Sequence, residues 1–394
     1  MLPDPRNPRD PGNPGAPLIP LVWDDWPWSQ WTVQHVSEMT PTTPIWTGPG
    51  PVRPLPASLQ RLGDIVVNFQ DGKQSVNDFL ERSFTDGFLV LHRGRIVFER
   101  YMNGLVPHRQ HILYSATKSF TGTLAGILAD KGLLDVTKPI THYLPELAAT
   151  AYRGATVQQV LDMASGVYYD EEWHEGSHMQ KALYAAWYHQ RVSGWPRTIW
   201  ELILTLDKAE RPHGSLYNYR SIETDVLSFV LERASGMSQA DLMSQQIWAP
   251  MGAEEDAYCV VDDAGFADFA GGLCVTMRDL GRFGLLLIEG GARDGRQIVP
   301  HSWINEILEG RGAPLGGSQL WGGAVRSYHN FWRTDRDHRA LWASGFGGQL
   351  MYVEPDAEFV AVKLSHNWPK GHWPRGGHAL STRAAMLAIR DALI

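Results

Sequence analysis

The chain has 394 residues, 43% of them hydrophobic and 20% charged, which is enough to bury a large core in two or three structural units. Its 43 acidic and 35 basic residues give a net charge of −8 with no long run of either sign. That balance argues against nucleic acid or an anionic membrane as partner and points to a small molecule or peptide. No apolar run approaches the roughly 18 residues of a spanning helix. Cys259 and Cys274 are too few for a disulfide framework and match no metal spacing, so both read as inert core thiols.

Prolines recur through the first twenty residues and no apolar h-region interrupts them, so a secretory signal is not expected and a cytoplasmic location is. Residues 1–60, rich in Pro, Trp and Thr, sustain neither a helical nor a strand period and read as an extended arm wrapped on the body. Two apolar runs, Gly87-Phe88-Leu89-Val90-Leu91 and Ile96-Val97-Phe98, flank Arg93-Gly94 and predict a β-hairpin. From Ser115 to Lys131 apolar side chains recur at helical spacing, with Gly132 as the stop signal, so a buried helix is expected to start at the serine. Helical periods follow at Thr156 to Met163, Asp225 to Ala234 and Met277 to Ile288. Strand patterns return at Gln349 to Val353 and Phe359 to Leu364, before a last helix from about Ala379 to Leu393. The expected organisation is an α/β sheet domain from residues 61–154 and 291–394, with a mostly helical domain at 155–290 between them. No internal repeat is visible. The chain has 16 tryptophans, and Trp173, Trp187, Trp195, Trp200, Trp332 and Trp342 are candidates for an aromatic wall around a site.

Ser115-Ala116-Thr117-Lys118 places a hydroxyl and an amine three residues apart at a helix start, on one face. A serine hydroxyl is a weak nucleophile until a neighbour takes its proton, and a lysine can do so only when its surroundings favour the neutral amine. The helix start adds a positive field and a free backbone amide, both suited to an oxyanion. Alone, the pattern is a weak signal, because it arises by chance in many chains as a capping serine and an exposed lysine.

The surrounding residues decide between those readings. Tyr114-Ser115-Ala116-Thr117-Lys118-Ser119-Phe120 resembles the nucleophile motif of class C enzymes in the serine β-lactamase and penicillin-binding-protein superfamily. The likeness continues in order through Gly132-Leu133-Leu134-Asp135, Val160-Leu161-Asp162-Met163-Ala164-Ser165-Gly166, Tyr217-Asn218-Tyr219-Arg220-Ser221 and Gly271-Gly272-Leu273, over roughly residues 60 to 394. Within the superfamily the chain resembles the 6-aminohexanoate-dimer hydrolases, with a likeness reaching back to Gln30-Trp31-Thr32-Val33-Gln34-His35-Val36; family VIII carboxylesterases are the neighbouring group. The resemblance implies an α+β, β-lactamase-like fold: an antiparallel sheet built from both chain ends and flanked by helices, beside the helical domain. It implies a serine hydrolase acting on a linear amide or ester, a homodimer, and no metal or organic cofactor. It assigns Ser115 as nucleophile, Lys118 as its base and Tyr219, two residues before Ser221 and six before Asp225, as proton shuttle in preference to Tyr217. It also implies oxyanion donors at the Ser115 and Phe346 amides, and substrate contacts at Tyr169, Trp195, Ser221 and Gly347.

Two segments depart from the pattern. Where lactamases carry Lys-Thr-Gly, this chain has Ala343-Ser344-Gly345-Phe346-Gly347-Gly348-Gln349, without the cation that meets a β-lactam carboxylate; Ser221 also stands where those enzymes commonly present asparagine. Linear amides or esters are therefore expected over β-lactams. Where an acid is expected to meet a substrate amine the chain has Gln180, with Asp170, Glu171 or Glu172 as substitutes.

Three rival functions carry their own signals. His174-Glu175-Gly176-Ser177-His178 matches the H-E-x-x-H zinc motif, which needs a continuous helix that Gly176 disfavours. A nucleophile elbow G-x-S-x-G is absent from the sequence, which argues against a classical α/β-hydrolase. A non-catalytic binding module of the same fold would be expected to lose Ser115, Lys118 or Tyr219, and all are present.

Overall fold

A computed structural model describes residues 23–69, 72–189, 191–316, 323–369, 372 and 377–394. The strand Thr85–His92 sits in the main sheet with hydrophobic packing on both faces, since Phe88 and Val90 enter one core and Leu89 and Leu91 the other. Its hairpin partner, Arg95–Tyr101, follows a two-residue turn in which Arg93 and Gly94 take φ of 50° and 72°, the left-handed pair that matches strand twist. On its other side lies Phe359–Ser365, antiparallel, with Val362 opposite Leu89. Four further antiparallel strands follow outward: Gln349–Glu354, Leu341–Gly345, Trp332–Asp335 and Val325–His329. The sheet thus has seven strands and is built from both parts of the chain, as expected.

The pleat also explains the helices on its two sides. Phe88, Val90 and Ala361 pack with Ala385, Met386 and Ile389 of the closing helix Gly377–Leu393. Leu89, Val360 and Val362 join the larger core with Leu280, Phe283 and Leu287 of the helix Met277–Ile288. Burying such side chains contributes about 1.5–3 kcal/mol each. The helix Met277–Ile288 begins where its cap residue dictates, with the Thr276 hydroxyl accepting from the Asp279 amide at 3.1 Å. The other expected helices appear as Val157–Leu161, capped by Thr156, and Ile222–Ser235.

The N-terminal arm has more structure than its sequence period suggests. Ser29–Thr32 is a short helix, and Thr42–Ile45 is the edge strand of a four-stranded sheet with Ala257–Val260, Leu273–Val275 and His111–Ile112. A strand added to an existing edge gains its backbone hydrogen bonds there and needs no alternation of its own. Residues 1–22 of the arm lie outside the described residues.

The small sheet leads directly into the serine motif. After His111–Ile112 the backbone forms a 3-10 turn, Tyr114–Thr117, and only then the α-helix Lys118–Asp130. Ser115 therefore stands on the turn before the α-helix. Every residue from Lys118 to Leu128 is buried, consistent with the small and apolar side chains around that helix.

Candidate active site

Tyr114 sets the direction of the serine turn. Its backbone has φ of 45°, and its ring is held between Trp23, at 6.2 Å, and the edge of Phe346, at 5.6 Å. One turn later Lys118, only 1% exposed, places Nζ so that it donates to Ser115 Oγ at 3.1 Å and to the Ala270 carbonyl at 2.5 Å. Ala270 is fixed in turn by Asp268, whose carboxylate accepts from the amides of Ala270 and Gly271 and from Trp187 Nε1 at 2.7 Å. Asp268 thus holds the carbonyl that steers the lysine.

The two tyrosines of the next motif part company. Tyr217 is buried against Tyr328, ring centres 5.0 Å apart, and burial raises its hydroxyl above the ordinary tyrosine range. Tyr219 faces the cavity that contains Ser115; its ring centre is 5.2 Å from Lys118 Nζ, and its buried hydroxyl has no hydrogen-bond partner among the described residues. Ser221 follows, its Oγ donating to Glu171 Oε1 at 2.5 Å and its amide to Oε2 at 2.8 Å.

The Gly-rich segment closes the opposite wall. A Cβ at Gly345 would lie 2.0 Å from the Leu113 carbonyl oxygen, so only glycine lets the strand Leu341–Gly345 approach the serine turn this closely. The chain then bends at Gly347, φ 69°, and the Gln349 side chain secures the bend by donating to the carbonyls of Phe346 and Ser365 at 3.1 and 2.7 Å. The Phe346 ring remains 52% exposed and stacks on Trp173, itself 56% exposed, with ring centres 5.7 Å apart.

These groups surround one cavity of about 550 Å³. Trp23, Trp173, Trp187 and Trp368 supply an aromatic wall. Glu171, Asp225 and Asp268 supply carboxyls, and burial raises all three above the usual carboxylate range. For Asp225 the neighbouring Asp268 charge adds to that effect, whereas the Trp187 hydrogen bond opposes it for Asp268. Asp225 Oδ1 has no hydrogen-bond partner among the described residues.

With a serine, a lysine and a tyrosine gathered at one cavity, comparison with known proteins becomes informative. The β-lactamase family model matches residues 52–380. The chain belongs to the β-lactamase family. A 6-aminohexanoate-dimer hydrolase of Paenarthrobacter ureafaciens is 33% identical over 345 residues, covering 86% of this chain and 83% of that protein. A Bacillus anthracis structure with a provisional 6-aminohexanoate-dimer hydrolase assignment has a TM-score of 0.84 at 28% identity, covering 96% of this chain and 97% of its own. A family VIII carboxylesterase shares the fold, with a TM-score of 0.59 at 18% identity, covering 79% of this chain and 96% of its own.

In this β-lactamase-family hydrolase most of the residues singled out from sequence meet at the cavity. Ser115, Tyr169, Tyr219, Ser221, Phe346 and Gly347 line it, and Lys118 reaches it through Ser115. Trp195 does not: it packs edge-on against Tyr184, and neither ring is among the residues that line the cavity. Of the other tryptophan candidates, Trp173 and Trp187 line the cavity, Trp200 packs on Phe229, and Trp332 and Trp342 are core residues. Among the three substitute acids, Glu171 lies in the wall, whereas Asp170 pairs with His174 at 2.8 Å and Glu172 is exposed.

The zinc motif lacks its helix. Gly176 has φ of 79°, Ser177 is a cap, and the helix begins only at His178, so the two histidines do not share a helical face. No group of three metal-ligating side chains converges among the described residues, and no described helix is long and apolar enough to cross a membrane. Asp225, Asp268 and Arg333 are wall residues that sequence reasoning did not assign to the site. Asp225 stood inside a recognised segment, but its orientation depends on helix phase; Arg333 stood in no recognised segment, since its strand shows only in the structure.

Proposed function

We propose that this hydrolase cleaves linear amide bonds, in the manner named for its 6-aminohexanoate-dimer hydrolase relatives, through an acyl-enzyme on Ser115. The observation that carries the reading is the 3.1 Å contact between Lys118 Nζ and Ser115 Oγ beside Tyr219. In the proposed reaction Lys118, with Tyr219, takes the hydroxyl proton as Oγ adds to the carbonyl carbon. The amides of Ser115 and Phe346 receive the oxyanion, and collapse breaks the C–N bond as Tyr219 returns the proton to the leaving amine. Water then adds to the acyl-enzyme and gives its proton along the same path, releasing the acid and restoring Ser115. No step requires a cofactor.

Esters form the second substrate class. The exposed Trp173 and Phe346 rings favour it, since an apolar acyl chain can lie against them without an amine anchor. A cytoplasmic setting and a homodimer, the latter supported by the family resemblance, complete the proposal; cell fractionation and light scattering test these two parts.

A panel of 6-aminohexanoate oligomers, p-nitrophenyl esters and nitrocefin, compared by kcat/KM, tests the substrate ranking. Linear amides and esters are expected to lead, and dominant nitrocefin turnover would overturn it. A fluorophosphonate probe should label wild type and spare Ser115→Ala.

A further inference from the structure

The segment that carries the Phe346 amide is a hairpin loop gripped by one side chain. Gly345 pairs with Gln349 where the strands Leu341–Gly345 and Gln349–Glu354 meet, so Phe346, Gly347 and Gly348 lie outside the ladder. Peptide groups in such a loop lose their ladder partners, and the left-handed glycines, φ 69° and 88°, leave its peptide planes free to turn. Gln349, only 1% exposed, supplies the missing partner from just beyond the loop. Its Nε2 donates to the Phe346 carbonyl at 3.1 Å and to the Ser365 carbonyl at 2.7 Å, while its Oε1 accepts from the Ser365 amide at 2.9 Å. Both amide hydrogens are thus used, and turning the amide over would set its oxygen against two carbonyls. Ser365 gives this grip a firm base, because it is fully buried at the end of the strand Phe359–Ser365 and its hydroxyl accepts from the buried Lys363 Nζ.

We infer that Gln349 is a positioning residue for the oxyanion, holding the Phe346 amide where the tetrahedral intermediate needs it. The assignment rests on the proposed function, in which that amide is the second donor. Fixing the Phe346 carbonyl fixes the backbone angles through which the amide of the same residue is aimed. The other end of the loop is set at Gly345, where a Cβ would meet the Leu113 carbonyl. A donor already in place stabilises charge that develops only in the transition state, whereas a drifting donor must first be ordered. Gln349 therefore acts through the loop, on rate and not on ground-state binding, and touches no reacting atom.

Gln349→Met keeps the length of the side chain and removes all three hydrogen bonds. It should lower kcat/KM for p-nitrophenyl hexanoate by roughly 10–10²-fold, less than outright loss of an oxyanion donor. Inhibition by pentylboronic acid, in which Ser115 Oγ adds to boron and leaves a tetrahedral anion in the same place, should weaken by a similar factor. Ground-state binding is read without turnover in the Ser115→Ala enzyme, where adding Gln349→Met should change the affinity for p-nitrophenyl hexanoate by no more than about twofold. Gln349→Asn, one methylene shorter, keeps an amide for Ser365 and should shift rate and inhibition in the same direction; it decides the question if near-ultraviolet circular dichroism shows Gln349→Met unfolded. Unchanged kcat/KM in a folded variant, or equal losses in ground-state binding and boronate inhibition, would overturn the assignment. Failure of the underlying reading is separate: the wild type would then escape probe labelling at Ser115, or Gly345→Ala would label at the normal rate.

Discussion

Lys118 stands 5.2 Å from the centre of the Tyr219 ring, while Tyr217, two residues earlier, is packed against Tyr328 away from the lysine. The two hydroxyls therefore have different consequences when removed. Tyr219→Phe is expected to lower kcat by roughly 10²–10⁴, the usual worth of a positioned proton-transfer group. Tyr217→Phe should hold kcat within about threefold of wild type. Steady-state rates on a p-nitrophenyl ester compare them, and equal losses would remove Tyr219 from its role.

In the proposed reaction Ser115 and Lys118 act through one shared contact, so their losses should not add. Ser115→Ala and Lys118→Met should each reduce kcat to the residual level, and the double variant should be no slower than the slower single one, as for residues that function as a unit. Lys118 is fully enclosed, and methionine fills similar space without the charge. Thermal unfolding should therefore show Lys118→Met folded; additive rate losses would refute the coupling.

Gly345 gives a backbone test of the proposed second oxyanion donor, the Phe346 amide. A methyl group there meets the Leu113 carbonyl at 2.0 Å, so Gly345→Ala must separate the Phe346 loop from the serine turn. The expected loss in kcat/KM is about 10²–10³, comparable to removing an oxyanion donor. Probe labelling of Ser115 should slow in parallel, and unchanged labelling would place the oxyanion elsewhere.

His329 provides a pH test of stability. Its Nδ1 donates to Asp162 at 2.7 Å and its Nε2 to Glu306 at 3.3 Å, linking the strand Val325–His329 to two other parts of the fold. Burial lowers the pKa of the ring, but the hydrogen bond and charge of Asp162, reinforced by Glu306, raise it more, so the folded value lies above the ordinary 6.5. The native state then binds more protons than the unfolded chain across that interval. This contribution is fully present below about pH 6.5 and is lost as pH rises through the folded pKa. Tm of the wild type should accordingly fall over that window more steeply than that of His329→Gln; parallel curves would exclude the linkage.

The tryptophans separate wall from packing. Trp173→Ala should raise KM for apolar esters by several-fold, since it removes an exposed ring facing the cavity. Trp195→Ala, which loses a contact with Tyr184, should leave KM close to wild type, and a larger effect of Trp195 on KM would reverse this assignment.

Local residue patterns made much of this architecture legible. The two apolar runs around Arg93-Gly94 specified a hairpin, the helical period at Met277 to Ile288 specified a helix, and Ser115 with Lys118 needed only one helical turn to meet. The strand Thr42–Ile45 was hidden because its stabilising partner, Ala257–Val260, lies far away in the sequence. That Trp195 packs on Tyr184 and not in the wall was illegible for a related reason: aromatic composition does not say which side of a loop faces a cavity.

The sequence by itself determined the family, the sheet and helix periods, and the serine motif, because each depends on spacing within a few residues or on ordered motifs. Only the tertiary structure decided that Tyr219 faces Lys118, that Glu171 meets Ser221, and that Arg333 joins the wall. Those relations depend on helix phase, strand pleat and loop direction, and they arise only when elements distant in the chain pack around the same cavity.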